Sequence, residues 1–327
     1  MSTHLIEIVP VALEPHPNAD SLSIVRIYGY IIVARTEDWL GITKGIYIPP
    51  DFLVKTSRPE FTFLDDGKGT GTVRIKTKKL RGIISQGLLI PVPESLKELP
   101  LGSNVITELE IERYEPPIPL STGGETMPAP SGSPPCYDIE SYERYCGGLI
   151  HGEEIVATEK IHGANARFVF DGELMFCGSR VEWKRESDGN LWWQCLRQNA
   201  AIEEFCRANP NCVVYGEVFG KVQSFTYGAK PGEVRFAAFD ILDLKNNKWL
   251  DYDAAKAAAN KLPWVPELYR GPLIDAEIRK YASGRSIVER ADNIREGCVI
   301  RPIKERYDES CGRVVLKIVS PEYLEKS

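Results

Sequence analysis

The chain of 327 residues is long for one domain and ample for two, and its 43% hydrophobic and 26% charged residues match an ordinary globular protein. A net charge of −6 excludes strong nucleic-acid binding by bulk electrostatics, though not a local basic face. No run of about 18 apolar residues marks a membrane span, and Met1-Ser2-Thr3-His4-Leu5 lacks the basic and apolar regions of a signal peptide. Eight cysteines without a C-x-x-C pair and four dispersed histidines point to reduced packing thiols and no structural zinc. The expected compartment is the cytoplasm, with no membrane association and no obligatory protein partner.

Residues 1–112 are expected to form a small β-rich module. Ile6-Glu7-Ile8-Val9 is strand-like, and His16-Pro17-Asn18-Ala19-Asp20 is a turn. Ser23 to Ile27 and Tyr30 to Ala34 are β-rich runs either side of Tyr28-Gly29, and Gly45 to Ile48 ends at two prolines. Arg74 to Leu80 and Gly87 to Val92 supply the last strands. Short strands punctuated by Gly and Pro suggest a five-stranded oligonucleotide-binding barrel. Within it Arg74, Lys76, Lys78, Lys79 and Arg81 place five cations in eight positions. They read equally well as a nucleic-acid face or as a solvated strand edge.

Residues 113–136, with Glu115-Pro116-Pro117-Ile118-Pro119 and Met127-Pro128-Ala129-Pro130, are too rich in Pro, Gly and Ser for a helix or central strand. They are expected to be a linker or an extended wrapping segment. Residues 137–327 then alternate strands with a few helices. Glu154 to Glu159 enters as a strand, and a hairpin turns at Asp171-Gly172. Apolar residues from Leu191 to Cys206 recur at helical spacing, so Trp192 and its neighbours read as core. Cys212 to Glu217 and Val234 to Ile241 are strands, helices are expected near Asp253–Asn260 and Leu273–Tyr281, and Gly297 to Pro302 and Arg313 to Val319 finish the domain.

Three Lys-x-x-Gly matches occur, at Lys68, Lys79 and Lys160. Only Lys160 is followed by charged residues at the ends of apolar strands: Arg180, Glu217, Glu296 and Lys317. Any one alone reads as a surface charge, but ionised groups against apolar strands need partners. The set suggests convergence on one polar pocket able to hold a triphosphate and magnesium, with Phe239 able to stack on a base.

In order, Glu159-Lys160-Ile161-His162-Gly163, Gly178-Ser179-Arg180, Tyr215-Gly216-Glu217, Phe236 to Ile241, Arg295-Glu296-Gly297 and Leu316-Lys317 resemble the motifs of the covalent nucleotidyltransferases. Glu-Lys-Ile-His-Gly, Val-Tyr-Gly-Glu-Val-Phe-Gly and Phe-Asp-Ile are most similar to ATP-dependent RNA ligases. His16 to Asp20, Val73 to Lys76 and Lys79 to Leu89 resemble the N-terminal module of the Deinococcus radiodurans type. The resemblance implies an α+β fold: an N-terminal oligonucleotide-binding β-barrel, then an antiparallel-sheet nucleotidyltransferase (ATP-grasp-like ligase) domain.

It further implies an RNA ligase that joins 3′-hydroxyl and 5′-phosphate ends, as in nicked duplex RNA, through lysyl-AMP, with ATP and Mg2+ or Mn2+. Lys160 would be the nucleophile. Glu159, Ile161, Asn165, Arg180, Glu217, Phe239, Glu296 and Lys317 would bind ATP or AMP, and Glu217 and Glu296 would hold the metal through water. A neutral amine is needed for attack, so burial and a neighbouring cation are expected to lower the pKa of Lys160. His162 stands where many relatives have aspartate, and Lys317 lacks the second lysine that often accompanies it. A GTP-using capping-type guanylyltransferase and a non-enzymatic tRNA- or RNA-binding protein remain as alternatives.

Overall fold

The computed structural model describes residues 5–65, 67, 71–114, 124–220 and 222–325. Lys68, residues 115–123 of the expected linker and the N-terminal tetrapeptide lie outside them. The described residues up to Tyr114, with Leu324 and Glu325, cluster as one compact unit, and Gly124 to Tyr323 as another.

The first unit is built from short strands. Those used below are β1 (Glu7–Pro10), β2 (Leu22–Ile27), β3 (Tyr30–Arg35), β4 (Lys44–Ile48), β5 (Phe52–Lys55), β6 (Thr72–Arg74), β7 (Lys78–Leu80), β8 (Ile83–Ser85) and β9 (Leu88–Pro91). β4 is central, with β1 and β9 antiparallel on its two sides. Its neighbouring residues serve two cores. Ile46 and Ile48 join Ile6, Ile8, Phe52 and Phe61, whereas Tyr47 joins Val25, Ile32 and Trp39. Period-two alternation on a strand covered on both faces produces the continuous apolar run Gly45 to Ile48. The single strand expected from Arg74 to Leu80 is broken. β6 pairs with β5, then the chain changes partner and β7 pairs with β8.

The second unit uses β10 (Glu154–Lys160), β11 (Ala164–Phe170), β12 (Met175–Gly178), β13 (Trp183–Lys184), β14 (Cys212–Gly220), β15 (Val234–Asp243), β16 (Glu267–Pro272), β17 (Gly297–Pro302) and β18 (Leu316–Val319). β13-β12-β11-β14-β15 form the body of a seven-stranded antiparallel sheet. β18-β17-β10-β16 form most of a second, five-stranded sheet, closed by a parallel pairing of Glu140–Ser141 with β18. The helix expected from Asn190 to Ala208 is two helices, α1 (Leu191–Gln198) and α2 (Ala200–Ala208). Asn190 caps α1 by accepting the Trp192 and Trp193 amides. Asn199 breaks the run, its amide donating to the Cys195 and Val234 carbonyls. Both helices bury Trp192, Cys195, Ile202 and Cys206 against Phe168, Val214 and Phe236 of the larger sheet. The tryptophans are core, as the spacing suggests.

Part of the expected linker is ordered on this unit. Thr126–Met127 pairs with β13. Buried Arg167 donates to the Pro134 and Pro135 carbonyls, and the Tyr215 hydroxyl donates to Pro135. The segment wraps the sheet because its carbonyls, which no helix or ladder uses, meet buried donors.

One buried ionic cluster went unread in the sequence. Asp240 on β15 is sealed from solvent, forms an ion pair with Arg301 at 2.9 Å, and accepts hydrogen bonds from Arg313 at 2.7 Å and the Tyr137 hydroxyl at 2.7 Å. Burial opposes ionisation of Asp240, but the two guanidinium groups overcome it and hold the carboxyl below its ordinary value. Its stabilisation is present above the ordinary aspartate range and is lost as the pH falls through the folded pKa. Asp240→Ala strands two buried cations, with Glu305 still paired to both. It is expected to destabilise by about 3 kcal/mol, measured by urea denaturation followed through tryptophan fluorescence. A change below about 1 kcal/mol would show that Glu305 alone neutralises the pair.

Candidate active site

β10 ends on Lys160 and β11 begins at Ala164, so Ile161-His162-Gly163 carries the chain from the smaller sheet to the larger. The glycine is demanded by close approach. A Cβ at Gly163 would lie 2.2 Å from the Val218 carbonyl oxygen of β14.

Ladder register decides which side chains meet. Thr158 stands opposite Val299, and Val299 opposite Lys317. Lys160 and Lys317 therefore occupy one face of the smaller sheet, and Glu159 the other. On the larger sheet Asn165 pairs directly with Glu217. Glu217 is not a strand end as expected, since β14 continues to Gly220.

The centre is an ion pair. Lys160 Nζ donates to Glu296 Oε1 at 2.6 Å, with side chains only 24% and 11% exposed. The other Glu296 oxygen lies 3.4 Å from His162 Nδ1. Burial raises the Glu296 pKa, but Lys160 and His162 more than offset this and keep it below the ordinary value. Glu217 is pushed up to about 8 by burial, against the pull of Lys160 and with the repulsion of Glu296. For Lys160 burial acts downward, yet Glu296 and Glu217 together leave its pKa raised. The expected lowering is therefore reversed at this stage of the site: the neighbours at hand are carboxylates, not cations.

His162 is held on several sides. Its amide donates to the Tyr227 hydroxyl at 2.7 Å, Nε2 lies 3.2 Å from Ser224 Oγ, and Nδ1 lies 3.2 Å from the Tyr323 hydroxyl. The rings of Phe225 and Tyr323 flank it edge-on, each with centroids 5.3 Å away.

The remaining expected residues fall into distinct places. Asn165 lies beside Glu217, its buried Oδ1 without a hydrogen-bond partner among the described residues. Phe239 is the extra residue of a β-bulge, because Tyr215 pairs with Asp240 while Gly216 pairs with Ala238. A bulge re-aims a side chain, and here the ring rests against Tyr137 at 4.7 Å and stays half-buried. Arg180 is paired with Asp138 at 2.8 Å. The Ile161 side chain is buried among Phe219, Tyr227 and Val288. Glu159 is 1% exposed, and its Oε2 accepts the Ile287 amide at 2.8 Å. Burial raises its pKa. Its Oε2 thus anchors the loop before Glu296, while its buried Oε1 has no hydrogen-bond partner among the described residues. Of the two valines that flank Lys317 at a spacing of two, Val315 is buried and Val319 half-buried.

Of the five cations in the first unit, Arg74 pairs with Asp51 and lies over the Tyr114 ring, and Lys79 pairs with Glu325 at 2.8 Å. Lys76, Lys78 and Arg81 are exposed and form no ion pair among the described residues. Tyr137, Tyr227 and Tyr323 escaped the sequence reading, since each reaches the site from a distant segment and no local spacing marks it.

An orphaned amide oxygen, a half-buried ring on a bulge and a carboxyl raised by burial make a set suited to a nucleotide and a cation. Among the described residues no three His, Cys, Asp or Glu side chains gather to ligate a metal directly. Glu217 and Glu296 flank the lysine as a pair.

The RNA ligase family matches residues 153–319, just over half of the sequence, and the chain belongs to that family. An OB-fold domain matches residues 5–92. Comparison with curated proteins found no match. Among solved structures, a variant of Naegleria gruberi RNA ligase with ATP and Mn is 23% identical, covers 99% of both chains and has a TM-score of 0.85. The same enzyme with PPi is 24% identical, with 99% and 98% covered and a TM-score of 0.84. A variant with AMP and Mn is 23% identical over 99% of both chains, with a TM-score of 0.84. The fold is accordingly an OB-fold unit followed by a mostly antiparallel nucleotidyltransferase domain.

The electrostatics make a directional test. Glu296→Gln removes the largest upward influence on Lys160 and leaves burial to act, so the amine should become neutral at lower pH. The pH profile of Lys160 modification by an amine-directed reagent, read by mass spectrometry without nucleotide, should move down by about one unit or more. An unmoved profile would mean that Glu296 does not hold the proton on Lys160.

Proposed function

We propose that this RNA ligase joins RNA 3′-hydroxyl and 5′-phosphate ends using ATP and a divalent cation, as an enzyme of the Deinococcus radiodurans type acting on nicked duplexes. The observation that carries the reading is the half-sealed Lys160 amine bound to Glu296 where the chain crosses between sheets, with Glu217 beside it.

Lys160 Nζ is the nucleophile. Its attack forms an N–P bond to the α-phosphorus of ATP, breaks the bond to the bridging oxygen and releases pyrophosphate. Lys160 must first lose its proton, and the raised pKa shows that the carboxylates oppose this. A divalent cation held by Glu217 and Glu296 through water would supply the positive charge that takes over both carboxylates, leaving burial to favour the neutral amine. Lys317, on the Lys160 face, would steady the α-phosphate. Phe239 would stack on the base, and Asn165 and Arg180 would hold ribose or phosphate, with Arg180 exchanging Asp138 for the ligand. Ile161 would offer its backbone to the base. AMP then passes to an RNA 5′-phosphate, and the 3′-hydroxyl displaces it. Exposed Lys76, Lys78 and Arg81 would hold the RNA backbone.

Lys160→Ala should abolish labelling of the protein by α-labelled ATP, with GTP failing to label the wild type. Label retained by the variant would refute the nucleophile, and equal labelling from GTP would refute the choice of ATP.

Glu217 makes the cation site pH-dependent. Below about 8 it is mostly protonated and must release that proton to the solvent before a cation binds. Mn2+ affinity, measured by the loss of free-ion EPR signal, should rise with pH by up to about tenfold per unit and level off above this range. Glu217→Gln should flatten the dependence, and an unchanged slope would count against Glu217 as a cation partner.

A further inference from the structure

The turn His16 to Asp20 has no part in the chemistry at Lys160, yet it is tied to the basic hairpin β7–β8. That hairpin turns in two residues, Leu80 pairing with Ile83 across Arg81 and Gly82. Both loop residues have positive φ, +47° at Arg81 and +91° at Gly82. Two-residue hairpins favour this geometry, but Asn, Asp or Gly normally occupies the first loop position. An arginine there is strained, and the strain is met by an outside contact. Asn18 Nδ2 donates to the Arg81 carbonyl at 2.9 Å. The same amide nitrogen lies 3.3 Å from where a Cβ on Gly82 would sit, so the Asn18 side chain rests against the turn itself. Asn18 is placed in turn by His16, whose Nδ1 accepts the Asn18 backbone amide at 3.1 Å. His16 is 7% exposed and anchors the turn in the unit. The Arg81 side chain is meanwhile exposed.

We infer that Asn18, seated by His16, is a positioning residue that holds Arg81 in its left-handed conformation so that the guanidinium at the hairpin tip grips a phosphate of the RNA backbone. The inference rests on the proposed RNA-binding role of this strand. It assigns the turn a task that neither the adenylylation chemistry nor the charge run by itself explains. A left-handed backbone at the tip aims the side chain in one direction, and a mobile tip would let the charge wander and dilute its contact.

The test is binding of the full chain to a nicked, 5′-phosphorylated RNA duplex across a salt series, by fluorescence anisotropy. Arg81→Ala should weaken binding about fivefold and reduce the slope of log affinity against log salt by about one. Asn18→Ala should do the same, and the double variant should be no worse than Arg81→Ala alone. Asn18→Leu, which keeps the size without the donor, should behave as Asn18→Ala and serves if the alanine variant folds poorly. Thermal unfolding identifies that case. If Asn18→Ala binds as the wild type while Arg81→Ala is impaired, the positioning role is wrong and the RNA face stands. If Asn18→Ala weakens binding with an unchanged slope, additively with Arg81→Ala, its role is general stability and the inference fails. If neither Arg81→Ala nor Lys78→Ala alters binding, the RNA face is wrong and the inference falls with it.

Discussion

The structure of the second unit turns on one requirement: an amine must be kept out of bulk water without being left alone. The Lys160–Glu296 pair at 2.6 Å meets it. Taking two charges from water is unfavourable unless their attraction and further hydrogen bonds compensate. Glu296 is held ionised by Lys160 and His162, although its Oε2 makes no hydrogen bond among the described residues. Glu217 is pushed up to about 8, because burial outweighs the pull of Lys160 and the Gly163 amide. The site therefore contains two carboxyl groups that a positive charge would relieve, which reconciles a raised lysine pKa with the proposed nucleophilic role. The carboxylates that hold the proton in place are the groups that a cation would occupy.

The two sheets make this placement possible. A single sheet could present Lys160 and Lys317 on one face but could not set a carboxylate against them from the opposite side. Crossing at Ile161-His162-Gly163 brings Asn165 and Glu217 of the larger sheet toward the lysine of the smaller one. The crossing is tight enough that only glycine fits at its last position. His162 sits within it, fixed through its backbone by Tyr227 and through its ring by Ser224 and Tyr323. A histidine held this firmly beside Glu296 supports that carboxylate and brings no negative charge of its own to the pocket.

Much of this was legible in the chain. The strands around Lys160 announce themselves by apolar runs, and the ordered charges at their ends separate Lys160 from Lys79, which lies on a short surface hairpin and pairs with Glu325. The core helices were visible from their spacing, but the break at Asn199 was not. It depends on a side chain reaching the Val234 carbonyl, 35 residues away. Tyr323 illustrates the same limit more sharply, since it meets His162 across 161 positions. The Pro-rich segment was legible in part. Its composition excludes helix and central strand and leaves a linker or an extended wrapping segment, but composition cannot say that Arg167 and Tyr215 offer buried donors to its carbonyls. The reversed lysine pKa is likewise a property of assembled neighbours and of no single motif.

The buried charges beyond the pocket belong to the same design. Asp240 directly follows the bulge residue Phe239, and Tyr137 joins the two by resting on the Phe239 ring while donating to the Asp240 carboxylate. Arg313 pairs with Asp240 and lies over the Trp249 ring at 3.8 Å. A bulge leaves one residue without a partner in the ladder and gives the strand local freedom. Fixing the next residue through two guanidinium groups and a hydroxyl removes that freedom. The Phe239 ring is then set through Tyr137 by an ionic cluster on the residue that follows it. Such a cluster is an expensive route to stability, because apolar residues of similar volume often do as well. Its return here is geometric: three buried charges and a tyrosine hold one ring in place on an irregular strand.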